Sequence, residues 1–381
     1  MQTAQIRVAR QPTAEDLAPL VALKPHWVLA FGSVDHIAAP GLAAALSAAC
    51  PQAVLSGCST AGEISRNGVN DDHLVLSAVR FDSGAPVVVT TELQGMEDSH
   101  AAGARLAREM VAARVHTVLV LGQGVAINGS ALVDGMREVL PPQVVLSGGL
   151  AGDGGAFKRT FTLSNRGSSD RQIVAVGFAA PSVRFRHGCF HGWRPFGPAR
   201  RVTRSKGNVL FELDGQAALE VYKRYLGEYA RDLPGSGLLF PFQMLGSSQD
   251  SRGLIRTILG VNEADGSLVL AGDIDPQGYL RLMHASTDSL VEGAQSAAEN
   301  ATFPDGTAGD SLAILVSCVG RKLVMGARVD EEVEAVADVF GQRALVTGFY
   351  SNGEISPGLD GLECSLHNQT MTITHLCEVA A

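Results

Sequence analysis

Three unbroken apolar runs organise the chain: residues 26–31 (HWVLAF), 117–121 (TVLVL) and 312–316 (LAILV). Runs of this length without polar alternation predict strands buried on both faces, as in a sheet covered by helices. Each is followed by a stretch with helical spacing, at 40–50, 129–140 and 331–340, and then by a second short apolar strand, at 53–56, 144–147 and 344–347. Two more helices, 99–114 and 287–300, precede the second and third of these units, and both carry a Gly-Ala step, Gly103-Ala104 and Gly293-Ala294. Between the units, 74–81 with 87–93 and 255–261 with 268–271 read as β-hairpins, with turns at Asp82-Ser83-Gly84 and Asp265-Gly266. The pattern predicts an α/β fold with mixed sheets built from repeated βαβ and β-hairpin units in two related halves. Glycine and proline punctuation between Phe196 and Glu212 places the division there, giving domains 1–208 and 209–381.

Each βαβ unit ends on the same kind of phrase. AVLSGCSTAGE (53–63) returns as ALVTGFYSNGE (344–354), and a version one residue shorter, VVLSGGLAGD, occupies 144–153. A β-branched run, a glycine, a small polar loop, a second glycine and a carboxylate recur in order. Recurrence of this kind marks repeated structural units.

Bulk composition narrows the class. In 381 residues, 46% are apolar and 18% charged, enough for a large core and two domains. The excess of 39 Asp plus Glu over 30 Lys plus Arg argues against a nucleic-acid binder. No apolar run approaches a membrane helix, and no secretory leader pattern is present, so a cytoplasmic location is expected. Six cysteines lie singly with no CxxC spacing, suggesting neither a disulfide framework nor a zinc site.

Several extended motifs then agree on one family. GCSTAGEI (57–64), GGLAGDG (148–154), VTRSKGNVLFELDGQAALE (202–220), LAGDIDPQGYLRLM (270–283) and TGFYSNGEISP (347–357) resemble landmarks of bacterial FIST-domain proteins, in family order over almost the whole chain. The resemblance implies an N-terminal FIST half and a C-terminal FIST half. It also implies a cytoplasmic sensory module that binds a small molecule; with no complete acid–base or metal constellation to assemble from the residues, an enzyme is not expected. Its partner would be a separate histidine kinase or cyclic-di-GMP signalling protein, since no output region is visible beside the landmarks. A homodimer is left open. In the nitric-oxide-sensing branch the implied ligand is haem.

Two sets of residues are candidates for the ligand. Between Arg171 and Phe211 there is no Asp or Glu, but there are seven arginines and one lysine. Within it, HGWRPFG (191–197) resembles the haem branch. His191, then His187, or the Cys189 thiolate could bind the iron of a non-covalent haem b, there being no CxxCH. Arg184, Arg186, Arg194, Arg200, Arg201 or Arg204 could meet the propionates, and Phe185, Phe190, Trp193 and Phe196 could cover the porphyrin. Nitric oxide would then release His191 and shift the two halves. The plain alternative is a basic inter-domain strand with solvated or carbonyl-bonded histidines.

The second set is the glycine-carboxylate loops, at the strand ends where α/β folds bind ligands. Glu63, Asp153 and Glu354, with Cys58, Ser59, Tyr350 and Asn352 beside them, could hold a small metabolite such as an amino acid. Lysine is absent where a phosphate loop needs it. The plain alternative is tight turns with carboxylates as local caps. Cys58 could be a nucleophile, although no histidine lies near it in sequence, and a buried inert thiol is the simpler reading.

Overall fold

The computed structural model describes residues 1–304, 309–358 and 363–379. The expected α/β architecture with mixed sheets is present. Three six-stranded sheets have the same internal order, and a fourth, nine-stranded sheet is inserted into the third unit.

In the first unit the order is Gln2–Val8, Leu74–Arg80, Trp27–Gly32, Val54–Ser59, with only the last two parallel. The second repeats it with Val87–Glu92, Gln172–Phe178, Thr117–Gly122 and Val145–Leu150. The third repeats it with Val183–Phe190, Met371–Glu378, Ser311–Cys318 and Ala344–Ser351. The third unit, whose edge strand lies in the N-terminal half and whose other three strands lie in the C-terminal half, thus restates the order of the first two.

Each unit lends its hairpin to a neighbour. The first unit's hairpin, Glu63–Ser65 with Gly68–Asn70, completes the sheet of the third. The second unit's hairpin, Thr162–Ser164 with Gly167–Ser169, completes the first. The third unit's hairpin, Gly353–Pro357 with Cys364–His367, completes the second. The exchange is cyclic, so the three sheets form a closed prism about a pseudo-threefold axis.

The apolar runs explain this layering. Successive side chains of a strand point to opposite faces. Trp27, Leu29 and Phe31 meet Leu119 and Leu121 and Leu312, Ile314 and Val316 in one central core fed by all three sheets. Val28 and Ala30 face out beneath the helices Ala14–Leu23 and Leu42–Ala49. Val118 and Val120 lie under Ser99–Ala112 and Gly129–Arg137, and Ala313 and Leu315 under Thr287–Asn300 and Val329–Phe340. Both faces are covered, which is why these runs show no alternation.

The first glycine of each phrase has a packing cause. A Cβ on Gly57, Gly148 or Gly348 would lie 2.1, 1.9 or 1.9 Å from a carbonyl oxygen of the parallel neighbour strand, at Ala30, Val120 or Leu315. No other residue type fits there.

One hairpin expectation fails. Residues 74–81 and 87–93 do not pair: Leu74–Arg80 lies between Gln2–Val8 and Trp27–Gly32, while Val87–Glu92 pairs with Gln172–Phe178 in the second sheet. Asp82-Ser83-Gly84 is a crossover between units, because both edges of Leu74–Arg80 are already taken. The other hairpin forms, between Ile258–Asn262 and Ser267–Leu270.

The inserted sheet runs between Arg194–Pro195 and Tyr279–His284, closed by the helix Ala218–Leu226 over its own core of Leu210, Tyr222, Phe242 and Leu280. It is bolted to the prism by Gln369 Nε2, donating to Leu238 O at 3.0 Å, and by buried Arg256, donating to Leu366 O at 3.1 Å. No helix among the described residues is long and apolar enough to cross a membrane.

Candidate functional site

The three phrases converge on the prism axis at the carboxyl ends of the parallel strands. Ala61 N–H donates to Tyr350 O and Tyr350 N–H to Gly62 O, both at 2.8 Å. Gly152 N–H donates to Ser59 O at 2.9 Å, and Asn352 N–H to Leu150 O at 3.1 Å. Ser59 is consumed by the same stitching: its Oγ donates to Gly152 O at 2.7 Å and accepts from Phe161 N–H at 2.9 Å.

Beside this junction lies a cavity of about 360 Å³. All three units line it: Ser33, Asp35, Thr60, Glu63, Asp71 and Asp72 from the first, Asp153 from the second and Lys322 from the third. Five carboxyl groups therefore surround one ammonium. Lys322 Nζ donates to Ala61 O at 2.8 Å and to Asp71, and sits 5.7 Å from the centre of the Tyr350 ring.

Glu63 is the buried member of the set, 1% exposed. Thr60 Oγ1 donates to its Oε1 at 2.5 Å and His73 N–H to its Oε2 at 3.1 Å. Burial nevertheless pushes its pKa up to about 7, since the two hydrogen bonds and the more distant Lys322 only partly offset desolvation. An ionised carboxylate offers about four acceptor sites, and only two are filled here. A cationic hydrogen-bond donor in the cavity would complete the set. Asp153 behaves differently: it accepts from Phe157, Lys158 and Arg159 N–H at 2.8, 2.6 and 3.1 Å, so it caps its own loop as well as walling the cavity. No group of three or more His, Cys, Asp or Glu among the described residues is arranged to hold a metal ion.

Glu354 has the same phrase but is fully buried and does not line this cavity. Ser351 Oγ donates to it at 2.6 Å, and Thr370 donates from its N–H at 3.2 Å and its hydroxyl at 2.9 Å. Fully buried, its pKa is also pushed up to about 7. Tyr350 is buried with its hydroxyl on Glu332. Asn352 Nδ2 donates to Gly124 O at 3.1 Å, away from Glu63. Cys58 lies in the central apolar core, where burial pushes its thiol well above the ordinary range. It has no access to the cavity.

The arginine-rich segment does not fit a haem. Val183–Phe190 is an edge strand against Met371–Glu378. A Cβ on Gly188 would be 1.8 Å from Ala297 O, and one on Gly192 would be 2.2 Å from Ser289 O, so the helix Thr287–Asn300 closes that side. Trp193 is 3% exposed and donates from its indole to Gln369 O at 3.0 Å, in a core with Leu290 and Met325. His191 Nδ1 accepts from Trp193 N–H at 2.9 Å, and burial lowers its pKa to about 4. His187 Nδ1 is 3.4 Å from Thr374 Oγ1, with its ring stacked on Phe185, and its pKa is likewise lowered to about 4. Its buried Nε2 has no partner, but the flanking groups a porphyrin would need are elsewhere.

Arg184 lies over the Phe303 ring, Arg186 is exposed, Arg194 reaches Glu292, Arg200 binds Asp214 and Tyr225, and Arg204 binds Glu212. Phe196 is 41% exposed on the inserted sheet. The expected cleft gripping an anionic ring between two halves is replaced by a packed strand and surface ion pairs.

Sequence reasoning missed Ser33, Asp35, Asp71, Asp72 and Lys322. They come from segments scattered over nearly 300 positions, and no local motif links them. The one available signal was the threefold repetition, which places the ends of three strands together.

A profile described as the FIST N domain matches residues 26–216, and one described as the FIST C domain matches residues 218–357. The chain belongs to the FIST family. FIST domains are associated with signal-transduction sensing of small ligands. The FIST N stretch contains the core of the first unit, the second unit and the edge strand of the third, so the family division does not follow the spatial units. An uncharacterized protein of Methanocaldococcus jannaschii is 30% identical over 104 residues, 26% of this chain and 20% of that protein. The FIST chain thus spans only a fifth of that relative's length. Among solved structures, a cyanuric acid hydrolase from A. caulinodans aligns over 100% of this chain and 99% of its own, at 10% identity and a TM-score of 0.38.

Proposed function

We propose that this FIST protein is a sensor of a small, ammonium-bearing metabolite, of the amino-acid or amine class, bound in the acidic cavity beside Glu63. The observation that carries the reading is the 360 Å³ cavity whose walls hold one buried, half-satisfied carboxyl, four further carboxyls and a lysine. An ammonium there would accept the role that burial has left open at Glu63, and Lys322 could meet a ligand carboxylate. Because three units line the cavity, an occupant ties all three strand ends together. The occupied state would be read by a separate signalling protein, such as a histidine kinase or a cyclic-di-GMP enzyme.

Calorimetry tests this with three sets of compounds: amino acids, the amines left by decarboxylation, and the acids left by deamination. Amine-bearing compounds should bind and the deaminated acids should not. Binding should tighten as pH rises through 7, where Glu63 ionises. Equal binding of deaminated acids, or none by any amine, removes the proposal. Haem and nitric oxide form no part of this reading, and haemin added to the protein should give the absorption spectrum of free haemin.

A further inference from the structure

We infer that the chain has a second small-molecule site, selective for an uncharged ring-sized compound carrying one N–H or O–H donor, in the seam between the inserted sheet and the prism. Two adjoining cavities lie there, of about 340 and 200 Å³. They share Gly124, Val125, Leu259 and Asn352 as wall residues. The larger is near the lower end of the usual size of ligand pockets.

Its walls come from both bodies. Val125, Phe157 and Asn352 belong to the prism, and Leu238, Ile258 and Leu259 to the inserted sheet and the turn beside it. No charged side chain lines the larger cavity. An anion or cation entering it would lose its hydration without a counter-charge, which excludes the ligands suited to the acidic cavity. The larger cavity therefore selects the opposite chemistry to the acidic one; Asp273 lines the smaller adjoining cavity, and neither shares a wall residue with the acidic cavity.

Among the described residues that line these two cavities, Asn352 carries a buried side-chain polar atom without a partner. Asn352 uses Nδ2 on Gly124 O at 3.1 Å, and its Oδ1 is sealed from solvent with no donor. Buried polar atoms are nearly always satisfied, so an orphan carbonyl on a residue that walls both cavities points to a donor supplied from outside, which meets Oδ1 once the Asn352 side chain turns toward it. Asn352 is also joined through its backbone to Leu150, so a ligand held by it contacts the axial junction directly. An occupant would bridge the inserted sheet to the three strand ends.

The probe is indole, compared with 1-methylindole, which lacks the donor, and indole-3-acetate, which carries a charge. Saturation-transfer NMR on the full chain reads the three affinities. Indole should bind, 1-methylindole about tenfold more weakly, and indole-3-acetate most weakly. Gly235→Phe, at a wall position where a Cβ meets nothing within 4 Å, should block all three. Asn352→Leu should make indole and 1-methylindole equal.

Absence of any indole signal, or an indole signal unchanged in Gly235→Phe, overturns the site. Equal affinities of indole and 1-methylindole for the unaltered chain overturn the donor requirement, and that comparison stands even if Asn352→Leu does not fold. Competition of indole by an amine that binds the acidic cavity would overturn the independence of the two sites.

Discussion

Glu63 and Glu354 occupy equivalent places in the first and third units, and their surroundings part company one layer out. Each follows a hydroxyl residue by three positions, Thr60 or Ser351, and each accepts a backbone N–H from the residue just before the unit's last strand, His73 or Thr370. Both are pushed up to about 7 by burial. Glu63 borders open space with Lys322 nearby, whereas the segment around Glu354 is roofed: Gln369 is held by Trp193 and Leu238, and Cys189 and Cys318 lie close. In the second unit the equivalent position is Gly154, and Asp153 before it caps a loop. One phrase thus yields a cavity wall, a structural brace and a turn. The inserted sheet helps to roof the second, and the shorter phrase makes the third.

The largest effect expected from breaking this comparison is at its roof. Arg321 and Glu332 are both fully buried, and Arg321 donates to Glu332 at 2.7 Å, to Leu290 O at 2.9 Å and to His191 O at 2.6 Å. Arg321→Met leaves Glu332 charged without its partner and should destabilise the fold by about 3–5 kcal/mol, read by denaturant unfolding. A loss under about 1 kcal/mol would mean the pair is not sealed from water.

Next is the contrast in binding. Glu63→Gln should weaken an amine ligand by about 10- to 100-fold in calorimetry, while Glu354→Gln leaves that affinity unchanged. The reverse pattern would exchange the two roles.

The pH dependence of stability sharpens the same pair. A carboxyl whose folded pKa is about 7 against an ordinary 4.5 stabilises the fold fully below 4.5, and that contribution is lost as pH rises to 7. For buried Glu354 this is on the order of 3 kcal/mol. Glu354→Gln should therefore gain on the parent protein as pH rises from 4.5 to 7 in thermal melts.

His187, His191, His367 and His375, all lowered to about 4, act in the opposite sense. Their contribution is present above 6.5 and lost as pH falls toward 4. Four histidines outnumber two glutamates, so the parent should be most stable near pH 6.5–7 and weaken on acidification.

The smallest effect is at the hydroxyls. Thr60→Ala and Ser351→Ala each remove one hydrogen bond to a buried carboxyl and should cost about 1 kcal/mol by chemical denaturation, with Thr60→Ala alone also weakening the amine.

The sequence by itself determined the layers. The unbroken runs at 26–31, 117–121 and 312–316 could only be strands covered on both sides, and the repeated glycine sat where a parallel neighbour's carbonyl leaves no room for a Cβ. It also determined the family and the carboxylate Glu63, because these depend on spacing along the chain.

Tertiary structure decided what local patterns do not encode. Three units closing on one another through lent hairpins turned the expected hairpin at residue 82 into a crossover and brought Asp35, Asp71, Asp153 and Lys322 to one cavity. The same closure laid Thr287–Asn300 against Gly188 and Gly192, removing the space that the arginines, histidines and aromatics of 184–198 suggested. A residue's type sets what chemistry it can offer. Only the packing of distant segments around it sets whether there is room for a ligand to use it.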